Sequence, residues 1–393
     1  MRSKYFVKII GVLAAAFVAV SCIVPYEPAE LLHREGTLVV EGNISITGPF
    51  SIKITRSAPI SAGRPGANNL FYENHALVYV RDEVGKIFLP DSVSHLGEYI
   101  FDFSDRLPDL NASYQLVIES PDGKIYESDL RKAKYSSDME LHYKIDTLEE
   151  KVSIFVDTYD LTGGSTYYHW QYEETWDYVS QIRARAFFDG SKVVETDDSN
   201  PWMYRCWNSS KSSNILLLET TSLSEDKIKD FLLQTIEYRN IRITQHYSIE
   251  VVQTVLDKDA YDYWQNMRKN STEIGGLFSP QPNEISGNIN CVSDPSVRAV
   301  GFVSVCNSVS KRLFVDCTSL PGYVRTRLPD DTLMSLSANI YGLQRLKQMG
   351  FSPYLVDNQM EVSYWNLTKC IDCRSKGGTP EVPPFWPPEW PRY

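Results

Sequence analysis

The sequence predicts a mainly β chain, with an N-terminal β-sandwich followed by a larger β-rich domain that holds one or two short helices. Three observations predict it. The chain carries 24 Tyr, 16 Phe and 8 Trp against 7 Met, and aromatic side chains suit pleated, half-buried surfaces. From Thr37 onward apolar residues recur at every second position, the period of a strand. Turn chemistry interrupts these runs at short intervals, while a helical period holds in few places.

The first 35 residues precede any strand. Arg2, Lys4 and Lys8 form a basic segment, and Ile9 to Val20 is an unbroken apolar run, too short to span a bilayer. Ala19-Val20-Ser21-Cys22 then sets small residues before a cysteine, the pattern at which a thiol takes a diacylglyceryl group and becomes the new N-terminus. Residues 1–21 therefore read as a lipoprotein signal peptide and Cys22 as the lipidation site. Residues 22–35 hold Pro25 and Pro28 and no sustained period, so they read as a tether.

Residues 36–133 predict the N-terminal sandwich. Leu38, Val40, Ile44 and Ile46 alternate, followed by Ile52 and Ile54, then Ala76, Val78 and Val80. Tyr99, Phe101 and Phe103 make the next run, and Tyr114, Leu116 and Ile118 another. Gly48-Pro49, the Gly63 to Gly66 loop, Glu83-Val84-Gly85, Asp91-Ser92 and Pro121-Asp122-Gly123-Lys124 supply turns between them. Six or seven short antiparallel strands in about 95 residues describe an immunoglobulin-like sandwich. Gly97-Glu98-Tyr99 at a strand entry resembles the carboxypeptidase-regulatory-like members of that class.

The polar stretch Ala133 to Met139 marks a boundary, and residues 134–369 predict the larger domain. Val152 to Val156 and the aromatic Tyr167 to Val179 read as strands, and Ile215 to Leu218 as a strand buried on both faces. One short helix is expected after a Ser222 or Ser224 cap, with Glu225 and Asp226 in its first turn and Ile228, Phe231 and Leu232 on one side. A second is expected near 257–270, capped by Asp257, with Ala260, Trp264 and Met267 on one apolar face. Gly275 to Pro282 turns the chain, and Ile285 to Cys291, Ala299 to Cys306, Arg312 to Cys317 and Met360 to Leu367 read as returning strands. Residues 370–393 form a Cys/Pro/Trp-rich tail that should lie extended against the domain through Phe385, Trp386 and Trp390.

The formal net charge is −11, and loss of the leader's basic residues makes the mature body more acidic still. Such a body has no phosphate-tracking stripe, which argues against nucleic acid as a partner, and an anionic membrane surface repels it. The lipid must then do the anchoring. Beyond Cys22 the cysteines form an even set of disulfide candidates, Cys206, Cys291, Cys306, Cys317, Cys370 and Cys373, which fits an oxidising compartment. Free thiols stand as an alternative, as does a metal or redox role for Cys370-Ile371-Asp372-Cys373, although that motif has no second CxxC and no nearby His.

Catalytic signatures are missing from the sequence. There is no Gly-x-Ser-x-Gly elbow, no HExxH and no phosphate-cradling GK[ST]. His33, His75, His95, His142, His169 and His246 are scattered singly. The expectation is therefore no catalytic residue, no metal and no cofactor. Glu173 and Glu174 point to opposite faces of a strand and cannot act together as a glycosidase pair, so each is expected to be a solvent-facing charge or to hold one structural partner. Asp157, Asp160 and Gly163 to Ser165 could supply calcium oxygens, but the alternating ligands of a recognisable loop are missing. Trp170, Trp176, Trp202 and Trp207 suit a sandwich core better than a recognition surface.

A family resemblance rests on motifs in order. They are Tyr168-His169-Trp170, Glu173-Glu174-Thr175-Trp176, Cys206-Trp207, Ala260 to Trp264, Phe278 to Pro282, Ile285 to Ile289, Gly301 to Ser304, Cys370 to Cys373, Gly377-Gly378 and Phe385-Trp386-Pro387. Together these resemble the Bacteroidota lipoproteins of domain of unknown function 4249. The resemblance implies an outer-membrane lipoprotein encoded beside a TonB-dependent nutrient transporter, with no assigned activity. Many Bacteroidota surface lipoproteins carry an acidic export signal after the lipidated cysteine, and here only Glu27 and Glu30 follow. Both the cell surface and the periplasmic face of the outer membrane therefore stay open. Cys306 and Cys317 are additions to the family pattern, which makes Cys206–Cys291 the first expected pair. The resulting expectation is a non-enzymatic binding or accessory subunit for such a transporter, handling an unknown nutrient ligand. The alternatives are a surface hydrolase whose site forms only in three dimensions and a structural surface or assembly protein.

Overall fold

Strand alternation builds two stacked-sheet bodies, seen in a computed structural model that describes residues 36–57, 71–104, 109–160, 164–196, 203–223, 225–273, 287–321, 336–338, 342–357 and 362–390. The signal peptide, Cys22, the tether, the Gly63 to Gly66 loop, Trp202 and the turn at 275–282 fall outside the described residues. The chain is mainly β, as the sequence predicts.

In the first sandwich, one sheet runs in the order Ala299–Val300, Leu38–Glu41, Pro49–Arg56, Glu98–Asp102, Ser92–Val93. The facing sheet runs Ile289–Cys291, Ile125–Ser128, Ser113–Glu119, Leu77–Asp82, Ile87–Phe88. Val40, Ile52, Ile54, Val78, Val80, Phe101, Leu116 and Ile118 meet between them. Tyr114 is fully buried and its hydroxyl donates to the Asp109 carbonyl at 2.7 Å, the tyrosine corner of immunoglobulin-like sandwiches.

Residues 36–133 do not close this sandwich alone, which corrects the expected division. A later segment supplies an outer strand to each sheet: Ala299–Val300 lies parallel to Leu38–Glu41, and Ile289–Cys291 antiparallel to Ile125–Ser128. Val303 and Val305 complete the core. Gly301 allows the crossing. Its φ is +141°, and an added Cβ would lie 2.2 Å from the Val40 carbonyl oxygen.

The second sandwich is larger. Its first sheet orders Met139–Asp146, Lys151–Tyr159 and Lys227–Glu237. Its second orders Arg205–Lys211, Tyr167–Val179, His246–Val255 and Val309–Asp316, with Leu216–Glu219 also pairing to Tyr167–Val179. Val152, Ile154, Val156, Ile228, Leu233 and Ile236 pack from one side against Trp170, Trp176, Tyr247, Ile249 and Val251 from the other. Trp170, Trp176 and Trp207 are thus core residues.

The helix expected after Ser222 or Ser224 is instead part of the strand Lys227–Glu237. Two register shifts against Lys151–Tyr159 break its alternation, so Ile228, Phe231 and Leu232 fall at a spacing that mimics a helix. The second expected helix is present as Lys258–Glu273. The Asp257 carboxylate accepts from the Ala260 amide at 2.9 Å, capping the N-terminus. Ala260, Tyr261 and Tyr263 bury against Leu217 and Phe302, with Trp264 and Met267 beside them. Arg131, from the first sandwich, donates to Asp257 at 2.6 Å and Asp259 at 3.1 Å, fixing the helix start to that body.

Ser363–Leu367 pairs with Phe351–Val356 and Leu336–Ala338 in a small separate sheet. The tail opens with short helical turns at Thr368–Ile371 and Cys373–Lys376 instead of the expected extended path, and then lies against the second sandwich through the three expected aromatics. Trp386 is buried edge-on to Trp207 at 6.2 Å, Trp390 stacks on His246 at 4.3 Å, and Phe385 takes the Arg312 guanidinium over its ring at 3.6 Å.

Candidate functional site

The outer face of the Met139–Asp146, Lys151–Tyr159 and Lys227–Glu237 sheet holds the candidate site. Along the middle strand Val152, Ile154, Val156 and Thr158 point inward, which sends Ser153, Phe155, Asp157 and Tyr159 outward. Glu140 lies opposite Asp157, and His142 opposite Phe155. On the third strand Val156 faces Phe231 and Thr158 faces Ile228, so Lys229 and Asp230 together stand opposite Asp157. The extra residue is accommodated by Asp230 at φ +56°, a conformation that Asp tolerates better than most side chains.

This bulge brings three donors together. The Asp230 amide donates to Asp157 Oδ1 at 2.6 Å, and the Asp230 carboxylate sits 2.8 Å from His142 Nε2. One ligand atom from each of His142, Asp157 and Asp230 lies within 4.8 Å of the others. Lys144 donates to Asp230 Oδ1 at 2.7 Å and lies 4.8 Å above the Phe155 ring, on which His142 also stacks. Hydrogen bonds from Lys144 and then His142 hold the Asp230 carboxyl below the usual carboxylate range. Asp157 also lines an open groove of about 380 Å³ with Asp138, Glu140, Tyr159, Lys227 and Lys229. The face therefore offers an imidazole, carboxylates, ammonium groups and a phenol to whatever enters.

Sequence reasoning missed this cluster because Asp230 was assigned to a helix, which hid the outer face it shares with His142 and Asp157. Asp157 was singled out, but with different partners. Of the suggested calcium oxygens, Asp160 is buried while Asp157 stands on the outer face, and Gly163 lies outside the described residues.

The cysteines also differ from expectation. Cys206 is bonded to Cys373, and not to Cys291, which sits in a strand of the other sandwich opposite Tyr126. Cys291, Cys306, Cys317 and Cys370 are buried outside any disulfide. Burial pushes the Cys306 thiol up to about 12, and burial with Asp177 nearby raises Cys317 as well, which suppresses the reactive thiolate. Cys370-Ile371-Asp372-Cys373 is thus no closed redox pair, since Cys373 is committed to Cys206.

Two interior charge clusters serve packing. Glu174 is 4% exposed and holds a structural partner, the second of the two roles expected for this pair: it accepts from Arg242 at 2.8 Å and from the Tyr247 hydroxyl at 2.6 Å. Burial, then the Glu174 charge, raises the Tyr247 phenol well above its ordinary value. Asp177 is fully buried and takes two hydrogen bonds from Arg205, one of them from Nε at 2.5 Å, and another from the His246 amide at 2.8 Å. His169 is buried against Trp264, which pushes its imidazole down to about 4.

These features define a mainly β protein of two sandwiches, with an open charged groove on an outer sheet face. The chain belongs to the family described as Domain of unknown function (DUF4249), whose model matches residues 23–312. The match ends inside the strand Val309–Asp316, before Cys370 to Cys373, Gly377-Gly378 and Phe385-Trp386-Pro387, so it covers less than the motif resemblance did. No curated protein matches the chain.

Proposed function

We propose that this protein is a lipid-anchored, non-enzymatic binding or accessory subunit at the outer membrane, working with a TonB-dependent nutrient transporter. One observation carries the reading. The basic and apolar leader ends in Ala19-Val20-Ser21-Cys22, which supplies an acylation site, and a tether separates that site from the first strand. A body fixed to a leaflet in this way can hold one sheet face toward a partner or a cargo. The charged outer face beside Asp157 supports this role, because its side chains are presented to solvent on a rigid scaffold.

The test is extraction of the tagged, lipidated chain in mild detergent. A β-barrel transporter is expected to copurify in stoichiometric amount, and Cys22→Ala is expected to release the chain from the membrane. Recovery of the acylated protein as a free monomer would overturn the partnership, and an unlabelled chain after feeding a palmitate analogue would overturn the anchor.

A further inference from the structure

We propose that His142, Asp157 and Asp230 form a binding site for a divalent transition-metal ion of the zinc type. The inference goes beyond the anchor and partner reading and stands on these three side chains. They come from three neighbouring strands, and His142 and Asp230 are 88 residues apart in the chain. One imidazole nitrogen and two carboxylate oxygens converge within 4.8 Å. An ion bonded to each at about 2.1 Å sets tetrahedral donors roughly 3.4 Å apart. His142 and Asp230, now 2.8 Å apart, separate slightly to admit it. Asp157 Oδ1 stands 3.9 Å from the other ring nitrogen, Nδ1, and accepts from the Asp230 amide, so the Asp157 carboxylate or the imidazole must turn for both carboxylates to meet one nitrogen.

The donor chemistry selects the ion. Calcium and magnesium take oxygen cages, whereas an imidazole with carboxylates suits zinc and its neighbours. Two carboxylates balance the charge of a divalent ion, and three protein ligands leave a coordination position open. Because Asp157 lines both the cluster and the groove, that position borders the groove, where water or an anionic group could complete the shell. Lys144 holds Asp230 at 2.7 Å and competes for it as the resident cation. Metal binding therefore displaces the Lys144 ammonium from Asp230.

The test titrates zinc chloride into the tag-free, EDTA-treated full chain in detergent by calorimetry. One zinc per chain is expected, with affinity weakened at least about tenfold in His142→Ala and Asp230→Asn. Asn tolerates the same backbone conformation as Asp, and circular dichroism checks the folding of each variant. Lys144→Met is expected to bind severalfold more tightly, a gain that a merely structural ion pair would not give. An unchanged zinc isotherm in folded His142→Ala and Asp230→Asn, no saturable binding to the wild type, or displacement of zinc by equimolar calcium would each overturn the proposal.

Discussion

Cys206 and Cys373 are bonded across 167 residues of chain, joining a strand of the second sandwich to the segment that begins the tail. The bond reaches from inside the family-matched residues to a part beyond them. Its removal lengthens the unfolded chain's freedom and loosens Trp386 and Trp390 from the sheet they cover. Cys206→Ser with Cys373→Ser is expected to lose about 2–5 kcal/mol. Chemical unfolding of the double variant, compared with disulfide-intact wild type, measures this, and reduced wild type should match the variant.

Gly301→Ala is expected to destabilise by about 2 kcal/mol or more. The new Cβ would press on the Val40 carbonyl at a φ of +141°, and a backbone oxygen cannot swing aside as a flexible side chain would. A shifted urea midpoint with unchanged m-value is the expected signature, and the same substitution at the open Gly123 turn controls for ordinary glycine effects.

Arg205→Met strands the Asp177 carboxylate, which is fully buried. Leaving one charge of such a pair uncompensated costs about 3–5 kcal/mol. The double variant Asp177→Leu with Arg205→Met is expected to recover much of that loss, and a thermodynamic cycle over the four proteins reads the coupling.

His169 makes stability depend on acid. Its folded value, about 4, lies below the unfolded value near 6.5, so the unfolded chain takes up the proton first. Its contribution is therefore nil above pH 6.5, and stability falls as pH drops from there towards 4. The full effect is about 3 kcal/mol. His169→Leu removes this term, so the stability difference between variant and wild type should change by that amount across the same pH window.

Legibility from sequence followed how local each cause was. The strand Tyr167–Val179 and the Asp257-capped helix were readable because alternation and capping act over a few residues. The tail was readable because proline and tryptophan leave it few alternatives. The Lys227–Glu237 strand was not, because its two register shifts replace period two with a false helical spacing. With it went the outer face on which Asp230 meets His142. The Cys206–Cys373 pairing and the two strands lent to the first sandwich depend on where distant segments meet, which no local pattern records.

The strands lent by Ile289–Cys291 and Ala299–Val300 impose an order on biogenesis. While the ribosome is still making the middle of the chain, the amino-terminal half has bare backbone donors and acceptors along Leu38–Glu41 and Ile125–Ser128. Both edges stay open until residues near 305 have been made to seal them. A nascent chain halted before that point is an aggregation hazard, however well its own first sheets have formed.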